Sequence, residues 1–295
     1  MTRAEPPNYA TGDKTADNDR RSAWSRSSYA FGDSDRAANR LEFLSRVFEE
    51  PSRSFLTKAV HDSSPEMSGL AIDLGCGPGY SSRILAEHAQ PSILCGMDFS
   101  EAFVDKARGQ DIPNATWCRH DVTVAPFPTR AADLVYARLV LAHLPDPARV
   151  VDLWVRQVRP GGRLLIEDTE WIEAGHSTLL DYEEMAGALV ANHGGDLYVG
   201  GLLRQLEPGP VARREVNRLY CHGVSVPVAA GLFAMNFATW RTDRYVTDTY
   251  SKSELDAMAD ELGRLSVSRT QDEVIFGIRQ VSYRRSEELP ARFAV

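Results

Sequence analysis

The residues best suited to chemistry lie in one short stretch, Asp73-Leu74-Gly75-Cys76-Gly77-Pro78-Gly79. The apolar run Leu70-Ala71-Ile72 leads into the acid, and Ser81-Ser82-Arg83-Ile84-Leu85-Ala86-Glu87 follows as a helix. Strand, glycine turn and helix start in immediate succession set side-chain-free backbone beside unpaired N–H groups and the positive end of a helix dipole. Such a loop cradles something small. Its G-x-G-x-G spacing departs from the G-x-G-x-x-G of dinucleotide loops, and no Lys-Ser or Lys-Thr follows, as a triphosphate loop requires. Further acids end later apolar runs: Asp98, Asp121, Glu167-Asp168 and then Glu170-Trp171. Ligands of an open parallel sheet bind beyond the carboxyl ends of its strands. Carboxylates gathered there are costly without partners, so they ask for a ligand carrying donors. A proton removed in a reaction at that edge needs a base. His143 and Glu170 are the candidates, against plain readings as a structural histidine and a solvated loop acid.

The elements that must position these residues follow from periodicity. Residues 1–25 are polar and aperiodic and read as a disordered arm. Leu41, Leu44, Val47 and Phe48 fall at helical spacing over residues 36–48, with Ser34 or Asp35 as cap. A second helix is expected from Ser52 to His61, and both should pack over the ligand-binding edge. Strands are expected at 70–74, 92–97, 115–120, 132–137 and 163–167. Helices are expected from Phe99 to Arg108 and from Pro147 to Val158, and Arg159-Pro160-Gly161-Gly162 reads as a turn. The alternation predicts an α/β fold, a doubly wound and mostly parallel sheet covered on both faces. After residue 171 the rhythm breaks. Helices are expected at 177–192 and around Leu202, Leu203 and Leu206, then a strand at 217–224. Next comes an aromatic stretch with Leu232, Phe233, Met235, Phe237 and Trp240, which reads as pocket lining or as core. A helix at 253–262 and a long strand at 273–283 close the chain. The expected division is an arm (1–25), a ligand-binding core with N-terminal helices (26–171), a helical lid over the substrate (172–245), and a return to the core sheet (246–295).

The D-L-G-C-G-P-G form directly after an apolar strand resembles the first motif of the class I S-adenosylmethionine (SAM)-dependent methyltransferases of small-molecule type. The resemblance covers residues 27–170 and is architectural beyond them. It implies a seven-stranded Rossmann-like sheet with strands six and seven as a hairpin. It also implies SAM as cofactor, leaving as S-adenosylhomocysteine. Around the methionine tail it implies Asp73 and the backbone of Gly75, Cys76, Gly77 and Gly79. Asp98 is placed for the ribose hydroxyls, which NAD also carries. Asp121 is placed for the adenine amino group, with the Val122 N–H at a ring nitrogen and Phe99 on the adenine face. Asp98 also reads as a helix cap, Asp121 as a turn acid and Phe99 as core. Many relatives carry a Tyr, a short Gly-containing link and an Arg-Leu on the first helix; Tyr29, Gly32 and Arg40-Leu41 match. Arg40 is therefore the candidate for the tail carboxylate, with Arg138 second. His143 stands where many relatives have His.

Composition narrows the partners. The net charge is −8 with signs interspersed, which argues against nucleic acid. Cys76, Cys95, Cys118 and Cys221 form no C-x-x-C pair and no zinc spacing, so no metal site is expected and free thiols suit a reducing cytoplasm. No run reaches membrane-spanning length. The expected activity is methyl transfer to O, N or C of a small apolar or aromatic metabolite, of the kind made in secondary metabolism. The alternative keeps the fold and SAM but catalyses a non-methylating cyclisation or rearrangement. The arm is long enough to exchange between subunits of a homo-oligomer, though nothing requires it.

Overall fold

Strand β1 (Leu70–Leu74) is buried along its whole length, Asp73 included, as a strand covered on both faces requires. It is the third strand from one edge of a seven-stranded sheet in a computed structural model that describes residues 31–61 and 69–287. The arm at 1–25 and Tyr29 lie outside the described residues. Parallel to β1 run β2 (Ile93–Asp98), β3 (Ala115–Arg119), β4 (Ala132–Arg138) and β5 (Val158–Glu173). The antiparallel pair β6 (Ala212–Ser225) and β7 (Glu273–Arg285) completes the order β3-β2-β1-β4-β5-β7-β6. The sheet is thus mostly parallel and mixed, with helices flanking it, as expected.

The helices begin where short polar caps allow. Ser34 accepts from the Ala37 N–H to start α1 (Asp35–Val47), and α2 (Glu49–His61) follows almost directly. The glycine loop opens α3 (Tyr80–Ala89), Ser100 caps α4 (Glu101–Arg108), and Asp146 with Pro147 opens α5 (Pro147–Gln157). Beyond the fifth strand come α6 (Ser177–Asn192), α7 (Gly200–Gln205), α8 (Val226–Trp240), α9 (Arg244–Thr249) and α10 (Lys252–Ser266). The aromatic stretch at 232–240 is therefore helical, and β6 divides the span expected to form the lid. A capping box between Ser251 and Glu254 fixes the start of α10.

Two local readings need correction. Arg159-Pro160-Gly161-Gly162 is not a free turn: β5 starts at Val158, and its register against β4 shifts between Ala132 and Leu134. The bulge needs Gly162, where a Cβ would sit 2.6 Å from the Asp133 carbonyl oxygen. At its other end β5 runs on to Glu173, with a second register shift between Thr169 and Trp171. That shift decides where Glu170 points.

One apolar cluster packs α5 under the sheet around Trp154, whose indole donates to the Val122 carbonyl at 2.8 Å. A second joins Phe55 and Leu56 of α2 to Ile84 and Leu85 of α3 on the opposite face. A third unites α6, α8 and α10 around Tyr182, Phe233, Phe237 and Trp240. Helix α1 spans the gap between the glycine loop and α8. Leu41 approaches Gly77, and the Arg36 guanidinium donates to the Ala238 carbonyl at 3.2 Å. Among the described residues no helix is long and apolar enough to cross a membrane.

Candidate active site

The strand order reverses between β1 and β4, and this is where a crevice opens at the carboxyl edge of a doubly wound sheet. A cavity of about 530 Å³ occupies it, well within the range that holds a cofactor or a drug-sized molecule. The glycine loop forms its floor. Gly75 has φ +67°, and a Cβ there would come within 2.5 Å of Val140 Cγ2, so a side chain is refused by conformation and by space. The backbone can then approach a ligand closely.

The Asp98 carboxylate closes one side of the loop. Its Oδ2 accepts the Gly77 N–H at 2.9 Å, and its Oδ1 accepts the Ser100 N–H at 2.8 Å. Burial raises its pKa, while these amides pull it back down. The carboxylate therefore faces the cavity with its geometry fixed and acceptor capacity to spare. Asp121 stands next along the edge. Thr123 occupies only its Oδ1, with N–H at 2.9 Å and hydroxyl at 2.7 Å, which leaves Oδ2 for a donor on a ligand. Phe99 and Val122 line the same end, and the Arg119 guanidinium lies 5.4 Å from the centre of the Phe99 ring. A side-chain-free loop, a fixed carboxylate, a second carboxylate and an aromatic face together suit a ribose with an adenine beyond it. These acceptors and the aromatic face fit the adenosyl half of SAM.

The sequence signature described as a methyltransferase domain matches residues 72–166, which span β1 to β5 and this whole end of the cavity. Over these residues the chain carries a methyltransferase domain. It is 34% identical over 143 residues to a trans-aconitate 2-methyltransferase of Methylobacterium radiotolerans, covering 48% of this chain and 54% of that protein. It is 31% identical over 96 residues to a ubiquinone biosynthesis O-methyltransferase of Coxiella burnetii, covering 32% and 40%. The chain thus spans about half or less of the length of these curated relatives. The fold matches a chain of the complex between the Haloferax volcanii Trm112 methyltransferase activator and a methyltransferase. That match has a TM-score of 0.53 and 15% identity, over 85% of this chain and 98% of that one.

Within this family fold, several residues singled out by sequence lie elsewhere than expected. Asp73 is fully buried behind the loop and does not line the cavity. Its Oδ2 accepts the hydroxyls of Ser81 at 2.7 Å and Ser82 at 2.6 Å, so it pins the start of α3 to β1. Burial pushes its pKa up to about 6, and its Oδ1 is buried with no hydrogen-bond partner among the described residues. Gly79 also turns away from the cavity. Its φ is +93°, and a Cβ would meet Trp117 Cη2 and Gln110 Cγ at 3.1 Å. Gly79 thus makes room for Trp117 rather than for a ligand. Cys76 lines the cavity, and its thiol pKa is raised by burial and by Asp73.

The two candidate cations differ. Arg138 lines the cavity but is already engaged: it donates to the Ser45 hydroxyl at 3.1 Å and the Ser45 carbonyl at 3.3 Å, and it pairs with Glu167 at 3.6 Å. Glu167 is in turn held by the Tyr136 hydroxyl and by Gln280 at 2.8 Å. Arg40 lies on α1 one residue before Leu41. It donates to Asn236 Oδ1 at 2.9 Å and sits 4.9 Å from the centre of the Phe31 ring.

Glu170 is not at the cavity. The register shift at this point of β5 turns its carboxylate to Arg279, at 2.5 Å, and to Arg204 of α7, at 3.4 Å. Trp171 packs over Gly277. His143 does line the cavity, edge-on to Phe31 with ring centres 5.2 Å apart. Burial, helped by the Arg40 charge, pushes its pKa down to about 3. Such an imidazole is neutral at physiological pH and holds a captured proton poorly.

The far half of the cavity was largely hidden from sequence. Phe31, Leu44, Ile172, Ala186, Leu232 and Phe233 make it apolar. Tyr182, Glu183 and Asn236 add polar groups from α6 and α8. Of the aromatic stretch, Phe233 lines the cavity, whereas Phe237 and Trp240 fill the helical core. Asp168 also borders it, but its oxygens accept the N–H groups of Ala142, at 3.3 Å, and Thr169, at 3.0 Å, and burial raises its pKa to about 7.

Proposed function

We propose that this chain binds SAM between the glycine loop and the acids of β2 and β3, and transfers its methyl group to a small, mainly apolar acceptor. The observation that carries this reading is the continuity of the cavity. One end offers Gly75, Gly77, Asp98, Phe99, Asp121 and Val122, and the other offers Phe31, Leu44, Ile172, Leu232 and Phe233. Bound SAM supplies an electrophilic methyl group on a sulfonium. The chain's own part is then to hold, align and shield. Asp98 would receive the ribose hydroxyls, Asp121 the adenine amino group, and Phe99 the adenine face. Arg40, near the loop through its neighbour Leu41, is the candidate for the methionine carboxylate. Aligning two bound groups in a closed space is worth several kcal/mol, of order 7–11 in favourable cases. Helix α1 and Phe31 lie over the cavity and would exclude water.

Calorimetric titration with SAM, S-adenosylhomocysteine and NAD tests the cofactor. Binding of the two adenosyl compounds without NAD is expected, and binding of NAD alone would refute the reading. A second assay incubates the protein with SAM and a panel that includes trans-aconitate and phenols. Formation of S-adenosylhomocysteine, read by mass spectrometry, identifies the acceptor.

A further inference from the structure

The far half of the cavity holds a carboxylate that neither the fold nor the SAM reading uses. Glu183 of α6 borders the cavity, and its Oε2 accepts the Tyr198 hydroxyl at 2.8 Å. Its Oε1 is buried and has no hydrogen-bond partner among the described residues. A charged acceptor buried in that way is destabilising until something donates to it. The other acid of this half, Asp168, is already engaged by backbone amides.

We propose that Glu183 Oε1 receives the hydroxyl of the methyl acceptor and takes its proton during transfer, so that the substrate is a hydroxyl-bearing, otherwise apolar ring compound. This rests on the methyltransferase reading above. The balance is simple. The acceptor oxygen forms its bond to the methyl carbon, the methyl–sulfur bond breaks with its electron pair left on sulfur, and the O–H proton passes to Glu183. The proton then exchanges with solvent.

Three observations agree with this role. Burial raises the Glu183 pKa to about 7, with the Tyr198 hydrogen bond opposing it, so the carboxylate is poised to gain and lose a proton near neutrality. Burial, followed by the Glu183 charge, raises the Tyr198 phenol, which stays protonated and keeps Oε2 occupied. The His143 imidazole, which also lines the cavity, is held neutral by burial. A carboxylate acceptor would set two anions together in an apolar enclosure, whereas a neutral hydroxyl supplies the missing donor.

The test uses the full chain saturated with S-adenosylhomocysteine and titrated calorimetrically with 2-naphthol and 2-naphthoate. Wild type is expected to bind 2-naphthol at least about tenfold more tightly. Glu183→Gln is expected to cut that ratio at least about tenfold while leaving S-adenosylhomocysteine affinity unchanged, which also shows that the variant is folded. With SAM, methylation of 2-naphthol by the variant should fall by about 10²-fold or more, the usual range for losing a general base. A wild-type preference for 2-naphthoate, or a ratio indifferent to the substitution, overturns the assignment of Glu183 but leaves the cofactor reading intact. Failure of wild type to bind S-adenosylhomocysteine sinks that reading itself.

Discussion

Replacing Asp98 with alanine separates the two roles its carboxylate plays. Within the protein it accepts N–H groups from Gly77 at 2.9 Å and Ser100 at 2.8 Å. Those contacts exist with and without ligand, so their loss affects the loop more than the affinity. On the proposed cofactor placement, the ligand-dependent part is the pair of ribose hydroxyls. A hydrogen bond to a charged group is worth about 1.5–3 kcal/mol, and the two hydroxyls share one carboxylate that already serves two amides, so a net loss in that same range is expected. That corresponds to about ten- to 150-fold weaker binding of S-adenosylhomocysteine. Asp98→Asn keeps one acceptor oxygen and should fall between the two. Calorimetric titration of wild type and both variants at one pH gives the numbers. Thermal unfolding should move little, because alanine also removes a buried carboxylate whose pKa burial raises. An unchanged dissociation constant for Asp98→Ala would refute the ribose assignment and with it the orientation of the cofactor.

Other substitutions give further expectations. Gly75→Ala combines a left-handed backbone with a contact to Val140 at 2.5 Å. It should cost roughly 2–4 kcal/mol in urea unfolding and abolish S-adenosylhomocysteine binding. Glu170→Gln removes the partner of the buried Arg279 and should cost about 3 kcal/mol of stability, with ligand affinity unchanged by titration. His143→Gln should keep methyl transfer within about tenfold of wild type, since the imidazole is a weak base here. For Asp73, burial lifts the folded pKa from 3.8 to about 6, so the native state holds a proton that the unfolded chain has released. Its contribution is complete below the unfolded value and is lost as pH rises through about 6. Asp73→Asn keeps an acceptor for Ser81 and Ser82 and removes this loss. The variant should therefore gain on wild type in urea midpoints measured from about pH 5 to about pH 8, and parallel curves would refute the assignment.

What the sequence reveals is what local chemistry controls. The strand–glycine–helix unit, the Ser34 cap, and the acids ending β2 and β3 are short-range features, and the structure reproduces them. Gly79 shows the limit. It fits the motif, yet its missing side chain accommodates Trp117 from a neighbouring strand. Glu170 shows another: alternation along β5 gives its direction only if the register is regular, and the shift beside it turns it to Arg279. Helix α8 is apolar all round because neighbours cover most of it, so it carries little helical periodicity to read. The acceptor end joins residues from α1, β5, α6 and α8, and no short spacing records that meeting.

The most direct measurement incubates the full chain with SAM bearing a deuterated methyl group and a panel of hydroxylated aromatic compounds. Mass spectrometry then follows both the label and S-adenosylhomocysteine. The expected result is S-adenosylhomocysteine formed in step with a product that carries the intact labelled methyl group on oxygen. SAM left unbound and unconsumed while NAD binds, or an acceptor changed without gaining the label, would contradict methyl transfer as the chemistry of this cavity.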